Sequence, residues 1–134
     1  MNGSLKVSAI ILAAGSGSRF GEKKQFKKLK GLELYKYSFN KFLNCSDINE
    51  IVLAVPMNRV ADMKLEIGAI KASKNISVVS GGSSRQESVK NSVLATCQHS
   101  DLVCIHDSAR PFISETLIKQ SINACSSNDG AIVA

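Results

Sequence analysis

Val7-Ser8-Ala9-Ile10-Ile11-Leu12-Ala13-Ala14-Gly15 is a short, nearly unbroken apolar run that ends in small residues. Such a run, too short for a helix and without polar alternation, suits a strand covered on both faces, as in a parallel sheet. Three comparable runs follow, at Glu50–Val55, Leu102–His106 and Ala131–Ala134, with a weaker one at Ile76–Val79. Helical spacing separates them. Tyr35, Phe39, Phe42 and Leu43 fall on one helical face, as do Val89, Val93 and Cys97, and again Leu117, Ile118, Ile122 and Cys125. Strands alternating with helices predict an α/β fold: three layers, α/β/α, around a mostly parallel, Rossmann-like sheet joined by right-handed crossovers. In such sheets ligands gather at the carboxyl ends of the strands. Three polar loops stand there: Ala13–Gly21 after the first strand, Gly81-Gly82 after Val78-Val79, and Asp107–Pro111 after Val103–His106. Together they predict a single cleft.

The composition agrees with one soluble domain. The 134 residues are 44% hydrophobic and 21% charged, which removes the disordered and collagen-like classes. No apolar run reaches the ~18 residues of a membrane helix, and Met1–Lys6 has no signal-peptide core, so a cytoplasmic location and no membrane partner are expected. Cys45, Cys97, Cys104 and Cys125 are scattered without a CxxC pair and read as reduced, mostly buried residues. The net charge of +6 would suit nucleic acid, yet much of it sits in Lys23, Lys24, Lys27, Lys28 and Lys30, and only 5% of residues are aromatic, too few to suggest base-stacking platforms. No nucleic-acid partner is expected.

The first loop, Ala13-Ala14-Gly15-Ser16-Gly17-Ser18-Arg19-Phe20-Gly21, fits neither familiar glycine template. A dinucleotide fingerprint needs glycine where Phe20 stands, and a Walker loop needs Gly-Lys-Ser/Thr there. What remains is a nest of backbone amides followed by Arg19 and Lys24, the makings of a polyphosphate site. The competing reading is a tight strand-to-helix turn with Arg19 in solvent. In the second loop, Gly81-Gly82-Ser83-Ser84-Arg85-Gln86-Glu87-Ser88-Val89, paired glycines let a flat ring approach the backbone, and Ser88 can offer a hydroxyl to a base edge. The same residues also read as an N-capped helix, with Ser83 or Ser84 as cap and Glu87 completing a capping box. In the third, His106-Asp107-Ser108-Ala109-Arg110-Pro111, Asp107 can ligate Mg²⁺ and Arg110 can fork onto a phosphate, unless the two merely pair with each other. His106 reads as a packed strand residue rather than a catalyst.

With these motifs in order, the sequence resembles the 2-C-methyl-D-erythritol 4-phosphate cytidylyltransferase family. Its patterns Ala-Ala-Gly-x-Gly-x-Arg, Lys-Gln-Phe/Tyr, Gly-Gly-x-x-Arg-x-x-Ser-Val and His-Asp-x-Ala-Arg-Pro occur as Ala13–Arg19, Lys24-Gln25-Phe26, Gly81–Val89 and His106–Pro111. The resemblance implies the nucleotide-diphospho-sugar-transferase type of sheet. It also implies transfer of CMP from CTP to a sugar-alcohol phosphate, with Mg²⁺ or another divalent cation as cofactor. Arg19 and Lys24 would be catalytic, stabilising the transition state. Leu12, Ala13, Ala14, Gly15 and Gly17 would line the triphosphate, while Gly82, Ser83 and Ser88 would read cytosine. Asp107 would hold the metal and Arg110 the acceptor phosphate. Lys24 is assigned through Gln25-Phe26, with Lys23, where the family has proline, as its rival.

Gly130–Ala134 reads as a strand with nothing packed after it, so residues 1–134 are expected to be the nucleotide-binding portion of a cytidylyltransferase domain. The family's later threonine-aspartate segment, dimerisation arm and second substrate-side lysine have no counterpart in the sequence. The chain alone is therefore expected to be inactive, and the full-length protein to be a homodimer. Two other readings stand beside this one: a ribitol-5-phosphate cytidylyltransferase, which His106-Asp107-Ser108 suits, and a module that binds CTP without transferring it.

Overall fold

A computed structural model describes residues 5–14, 26–125 and 130. In chain order the elements are β1 (Val7–Leu12), β2 (Lys28–Leu29), β3 (Leu32–Glu33), α1 (Leu34–Leu43), β4 (Glu50–Val55), a 3₁₀ turn (Met57–Arg59), α2 (Val60–Gly68), β5 (Asn75–Ser80), α3 (Arg85–Ala95), β6 (Leu102–Asp107) and α4 (Glu115–Ala124). Among the described residues four strands form one parallel sheet in the order β5-β4-β1-β6. The apolar run Val7–Leu12 is thus an inner strand, paired on both sides, with Leu12 opposite Ala54 and Asp107.

Both faces of β1 are covered, as its nearly unbroken apolarity predicts. Val7, Ala9 and Ile11 join Ile51, Leu53 and Val55 of β4 in the larger core, closed by Tyr35, Phe39 and Phe42 of α1, Met63 and Ile67 of α2, and Ile118 and Ile122 of α4. On the other face Ile10, Leu12, Val52 and Ala54 pack with Val89 and Ala95 of α3. Three layers result, α/β/α, and each buried isoleucine or leucine contributes about 1.5–3 kcal/mol by leaving water.

α3 departs from expectation. Val89, Val93 and Cys97 were the anticipated face, but Val93 is 41% exposed, Cys97 lies beyond the helix end, and Ser88 and Ser92 are buried instead. The Ser84 hydroxyl caps the helix by accepting from the Glu87 amide and so fixes its phase. The Ser92 hydroxyl then donates to the Ser88 carbonyl at 2.7 Å, which satisfies it without water and lets a small polar residue face the sheet. The cysteines also differ from the expected burial: all four are free, Cys45 is buried, Cys104 and Cys125 are half-buried and Cys97 is exposed.

Two elements carry weaker sequence signals. β2 and β3 form a hairpin whose turn residues Lys30 and Gly31 both have positive φ, 53° and 83°, the pattern of a two-residue primed turn. A lysine in the first position hides that turn from a search for Asn-Gly or Asp-Gly. α2 buries Met63 and Ile67 and ends at Gly68. The strand expected at Ala131–Ala134 lies outside the described residues.

Candidate functional site

Because all four strands run the same way, the three loops emerge along one edge of the sheet. Backbone bonds hold them there: the Ala13 amide donates to the Ala54 carbonyl (2.7 Å), the Gly81 amide to the Val55 carbonyl (2.8 Å) and the Ser108 amide to the Leu12 carbonyl (3.0 Å). The loop after β5 reaches across the end of β4 to touch the start of the first loop. A Cβ on Gly81 would lie 2.1 Å from Cβ of Ala14 and 2.9 Å from Oγ of Ser88, so only glycine fits between them. On the other side of β1, Ser108 adds its hydroxyl, which donates to the Leu12 carbonyl at 2.7 Å.

The edge therefore has an order. The Gly81-Gly82 loop lies at one end, Ala13-Ala14 in the middle and Asp107 at the other, and β5 and β6 stand three strand spacings, roughly 14 Å, apart. That span suits an extended ligand with a flat group at one end and charge at the other. A cavity of about 490 Å³ lies elsewhere, between α2 and β5, lined by Lys64, Ile67, Lys74 and Ser77 among others; none of the expected site residues lines it.

In the second loop the N-capped helix is present, with Ser84 rather than Ser83 as cap and without the reciprocal bond of a capping box. Ser84 caps α3, and the Glu87 carboxylate accepts from the Ser83 hydroxyl (3.1 Å) rather than reaching back to the cap amide. Ser88 is 4% exposed and its oxygen accepts from the Gly82 amide at 3.0 Å. Its hydroxyl thus braces the glycine pair and retains one proton to donate. A Cβ on Gly82 would meet the Glu87 side chain at 2.3–2.5 Å.

In the third loop Asp107 is the exposed last residue of β6, and its Oδ1 accepts from the Ala109 amide at 3.0 Å. Its other oxygen has no hydrogen bond among the described residues. Arg110 is exposed as well, and no ion pair joins it to Asp107 among the described residues, so the mutual pairing weighed above is not what closes this loop. The Arg110 amide donates to the Asp107 carbonyl (3.0 Å), and the Arg110 carbonyl accepts from Nε2 of His106 (2.9 Å), which fixes the neutral ring as the Nε2–H tautomer. His106 packs 5.4 Å from the Phe42 ring, and burial first of all pushes its pKa below the ordinary value. It is a structural strand residue.

Leu12, Ala13 and Ala14 are buried or half-buried at the end of β1, whereas Gly15, Gly17, Arg19, Lys23 and Lys24 lie outside the described residues. Among the described residues no three His, Cys, Asp or Glu side chains cluster as a metal site, which leaves Asp107 as a single protein carboxylate. That donor set fits Mg²⁺, a hard cation commonly held by one or two carboxylates, the substrate's own phosphates and water. No helix among the described residues is long and apolar enough to cross a membrane. Ser108 was legible as a motif member but not as a strut, because its partner Leu12 lies on a different strand.

The profile of the 2-C-methyl-D-erythritol 4-phosphate cytidylyltransferase family matches residues 7–134. The chain is 38% identical over 123 residues to the 2-C-methyl-D-erythritol 4-phosphate cytidylyltransferase of Dictyoglomus thermophilum, covering 92% of this chain and 53% of that protein. It is 41% identical over 119 residues to the protein of the same name from Clostridium tetani, covering 87% and 48%. Among solved structures, 4-diphosphocytidyl-2C-methyl-D-erythritol synthase from Anaerococcus prevotii superposes with a TM-score of 0.81 at 30% identity, over 93% of this chain and 53% of that one. The chain spans about half the length of the curated relatives it matches.

Proposed function

The chain belongs to the 2-C-methyl-D-erythritol 4-phosphate cytidylyltransferase family, and from that premise we propose that it supplies the CTP-binding half of an enzyme that makes CDP-methylerythritol. In the reaction a phosphate oxygen of 2-C-methyl-D-erythritol 4-phosphate attacks the α-phosphorus of CTP in line. The bond between that phosphorus and the α–β bridging oxygen breaks, and pyrophosphate leaves with the electron pair. Such transfers need positioning and charge stabilisation more than covalent help from the protein.

The observation that carries this reading is the contact of Gly81 with Ala14, which sets a flat-ring site and the mouth of an amide-rich loop side by side. Cytosine lies against Gly81-Gly82, with Ser83 and the braced Ser88 beside its edge. The triphosphate runs over Ala13, Ala14, Gly15 and Gly17, with Arg19 and Lys24 countering the charge that develops at the α-phosphoryl group. Asp107, opposite Leu12 at the end of the neighbouring strand, presents to Mg²⁺ the carboxylate oxygen that has no hydrogen bond among the described residues, and the ion when bound neutralises phosphate charge. Arg110, unpaired with Asp107, takes the acceptor's phosphate as a fork.

Ser108, the residue that suited a ribitol phosphate acceptor, is 1% exposed and turned into the sheet. Its identity therefore bears on loop packing, and it offers no side-chain contact by which to select a ribitol phosphate acceptor. Calorimetric titration of the chain with CTP and UTP in the presence of Mg²⁺ tests the first half of the reading: CTP binds at least tenfold more tightly. A chimera in which the chain replaces the matching half of the Anaerococcus prevotii synthase tests the second. CDP-methylerythritol forms in it in preference to CDP-ribitol, and Arg19→Ala lowers turnover far more than CTP binding. No CTP binding, or equal losses in Arg19→Ala, would sink the proposal.

A further inference from the structure

A capping box would turn the Glu87 carboxylate back onto the cap amide. Here the carboxylate goes elsewhere. Ser84 caps α3 by accepting from the Glu87 amide at 3.1 Å, while Oε2 of Glu87 accepts from the Ser83 hydroxyl, also at 3.1 Å. The Glu87 side chain reaches Ser83 by lying along Gly82. A Cβ on that glycine would stand 2.5, 2.3 and 2.5 Å from Cβ, Cγ and Cδ of Glu87, so a bare Cα at Gly82 is what lets the carboxylate pass.

Two hydroxyls therefore attend the glycine pair, and their polarities are opposite. A carboxylate only accepts, so the single proton of Ser83 is committed to Glu87 and its oxygen is left with lone pairs alone. Ser88 is the reverse: its oxygen accepts from the Gly82 amide at 3.0 Å, and its proton has no acceptor among the described residues. One acceptor and one donor match the edge of cytosine, whose amino group donates while its ring nitrogen N3 and its O2 accept. Uracil carries a carbonyl in place of the amino group. Set against the Ser83 oxygen, that carbonyl would leave two acceptors facing each other with no proton between them.

We propose that Glu87 is a positioning residue for the choice of base: by holding the Ser83 proton it makes that oxygen an acceptor, and the loop takes a base with an exocyclic amino group over one with a carbonyl there. The inference rests on the reading of the second loop as the cytosine site. Selectivity of this kind comes from the polar group that the wrong base leaves unpaired, so it appears as a difference between two nucleotides rather than as tighter binding of both.

Calorimetric titration of the full chain with CTP and with UTP, each in the presence of Mg²⁺, tests it through the ratio of the two dissociation constants. Both nucleotides carry the same triphosphate, so the ratio cancels any effect of the Glu87 charge on it. Glu87→Gln keeps the length of the side chain and its path along Gly82, but an amide can donate to Ser83 as well as accept from it, and the hydroxyl then turns to suit either base. The preference for CTP falls about fivefold, the scale of one net hydrogen bond, chiefly through tighter UTP binding. Ser83→Ala lowers the preference to a similar extent. Glu87→Gln added to Ser83→Ala lowers it no further, because Glu87 acts through that hydroxyl. An unchanged ratio in Glu87→Gln, or losses that multiply in the double variant, overturns the proposal and leaves the cytosine site standing. A wild type that binds CTP no better than UTP, or binds neither, overturns the functional reading and this inference together.

Discussion

Ser108 donates twice to a single acceptor: its amide and its hydroxyl both reach the carbonyl oxygen of Leu12, at 3.0 and 2.7 Å. The last carbonyl of β1 is thereby satisfied by the loop after β6 rather than by water, and the end of β1 is tied to the third loop. Ser108→Ala removes the hydroxyl and keeps the amide bond. The expected loss is about 1 kcal/mol of stability in urea denaturation, with CTP affinity changed less than threefold. A larger effect on CTP binding than on stability would mean that the hydroxyl meets the nucleotide.

Gly81→Ala drives a methyl group into Ala14 at 2.1 Å, and both contacts belong to elements that cannot give way cheaply. We expect a loss of about 1–3 kcal/mol from overpacking and a CTP affinity at least tenfold weaker, measured by thermal denaturation and calorimetry. The companion Ser88→Ala removes the acceptor for the Gly82 amide and lowers CTP affinity without comparable unfolding.

Asp107→Asn keeps the oxygen that accepts from Ala109 and deletes the charge. The thermal midpoint should hardly move, as expected for an exposed site with its turn bond intact, within about 0.5 kcal/mol. The tightening of CTP binding by Mg²⁺ should fall at least tenfold, while binding without the metal is unaffected or improves. Equal metal dependence in both proteins counts against Asp107 as ligand.

Burial holds the His106 imidazole below its ordinary value of 6.5, with the Arg110 guanidinium acting in the same direction, and together they outweigh the Arg110 carbonyl and the Asp107 carboxylate. Between that ordinary value and the lower folded one the unfolded chain binds more protons, so the ring's contribution is complete above 6.5 and is lost as the pH falls through the folded value. Urea midpoints measured from pH 8 down to pH 5 should decline more steeply for the wild type than for His106→Gln. Parallel declines would assign the slope to the carboxylates alone.

Where the sequence was informative, burial explains why. Val7–Leu12 and Glu50–Val55 read directly as strands because both are inner strands covered on two faces, each with a single polar residue, Ser8 and Glu50, near its start. Asn75–Ser80 borders the sheet among the described residues, is mostly half-buried, and read weakly for that reason. The buried face of α3 was misread because its inward residues are serines that satisfy themselves along the helix, which an apolar pattern does not register. The glycines of the second loop were legible as a place where the backbone is closely approached. Their cause, the approach of Ala14 to Gly81, joins residues far apart in the chain and appears only with the sheet order.

β1 is first in the chain, but its two neighbours are β4 and β6, so its last partner is made only after residue 107. Pairings of such sequence separation form late, because the intervening chain must be gathered first. The end of β1, where Ala13 and Ala14 begin the first loop, is thus synthesised early and is among the last parts of the sheet to be locked into place. A growing chain that stops short of Asp107 carries Ala13–Gly21 and Gly81-Gly82 but lacks the strand that clamps Leu12. On the proposed function, nucleotide affinity would report on completed assembly, and in refolding experiments CTP should be recruited in the slowest phase.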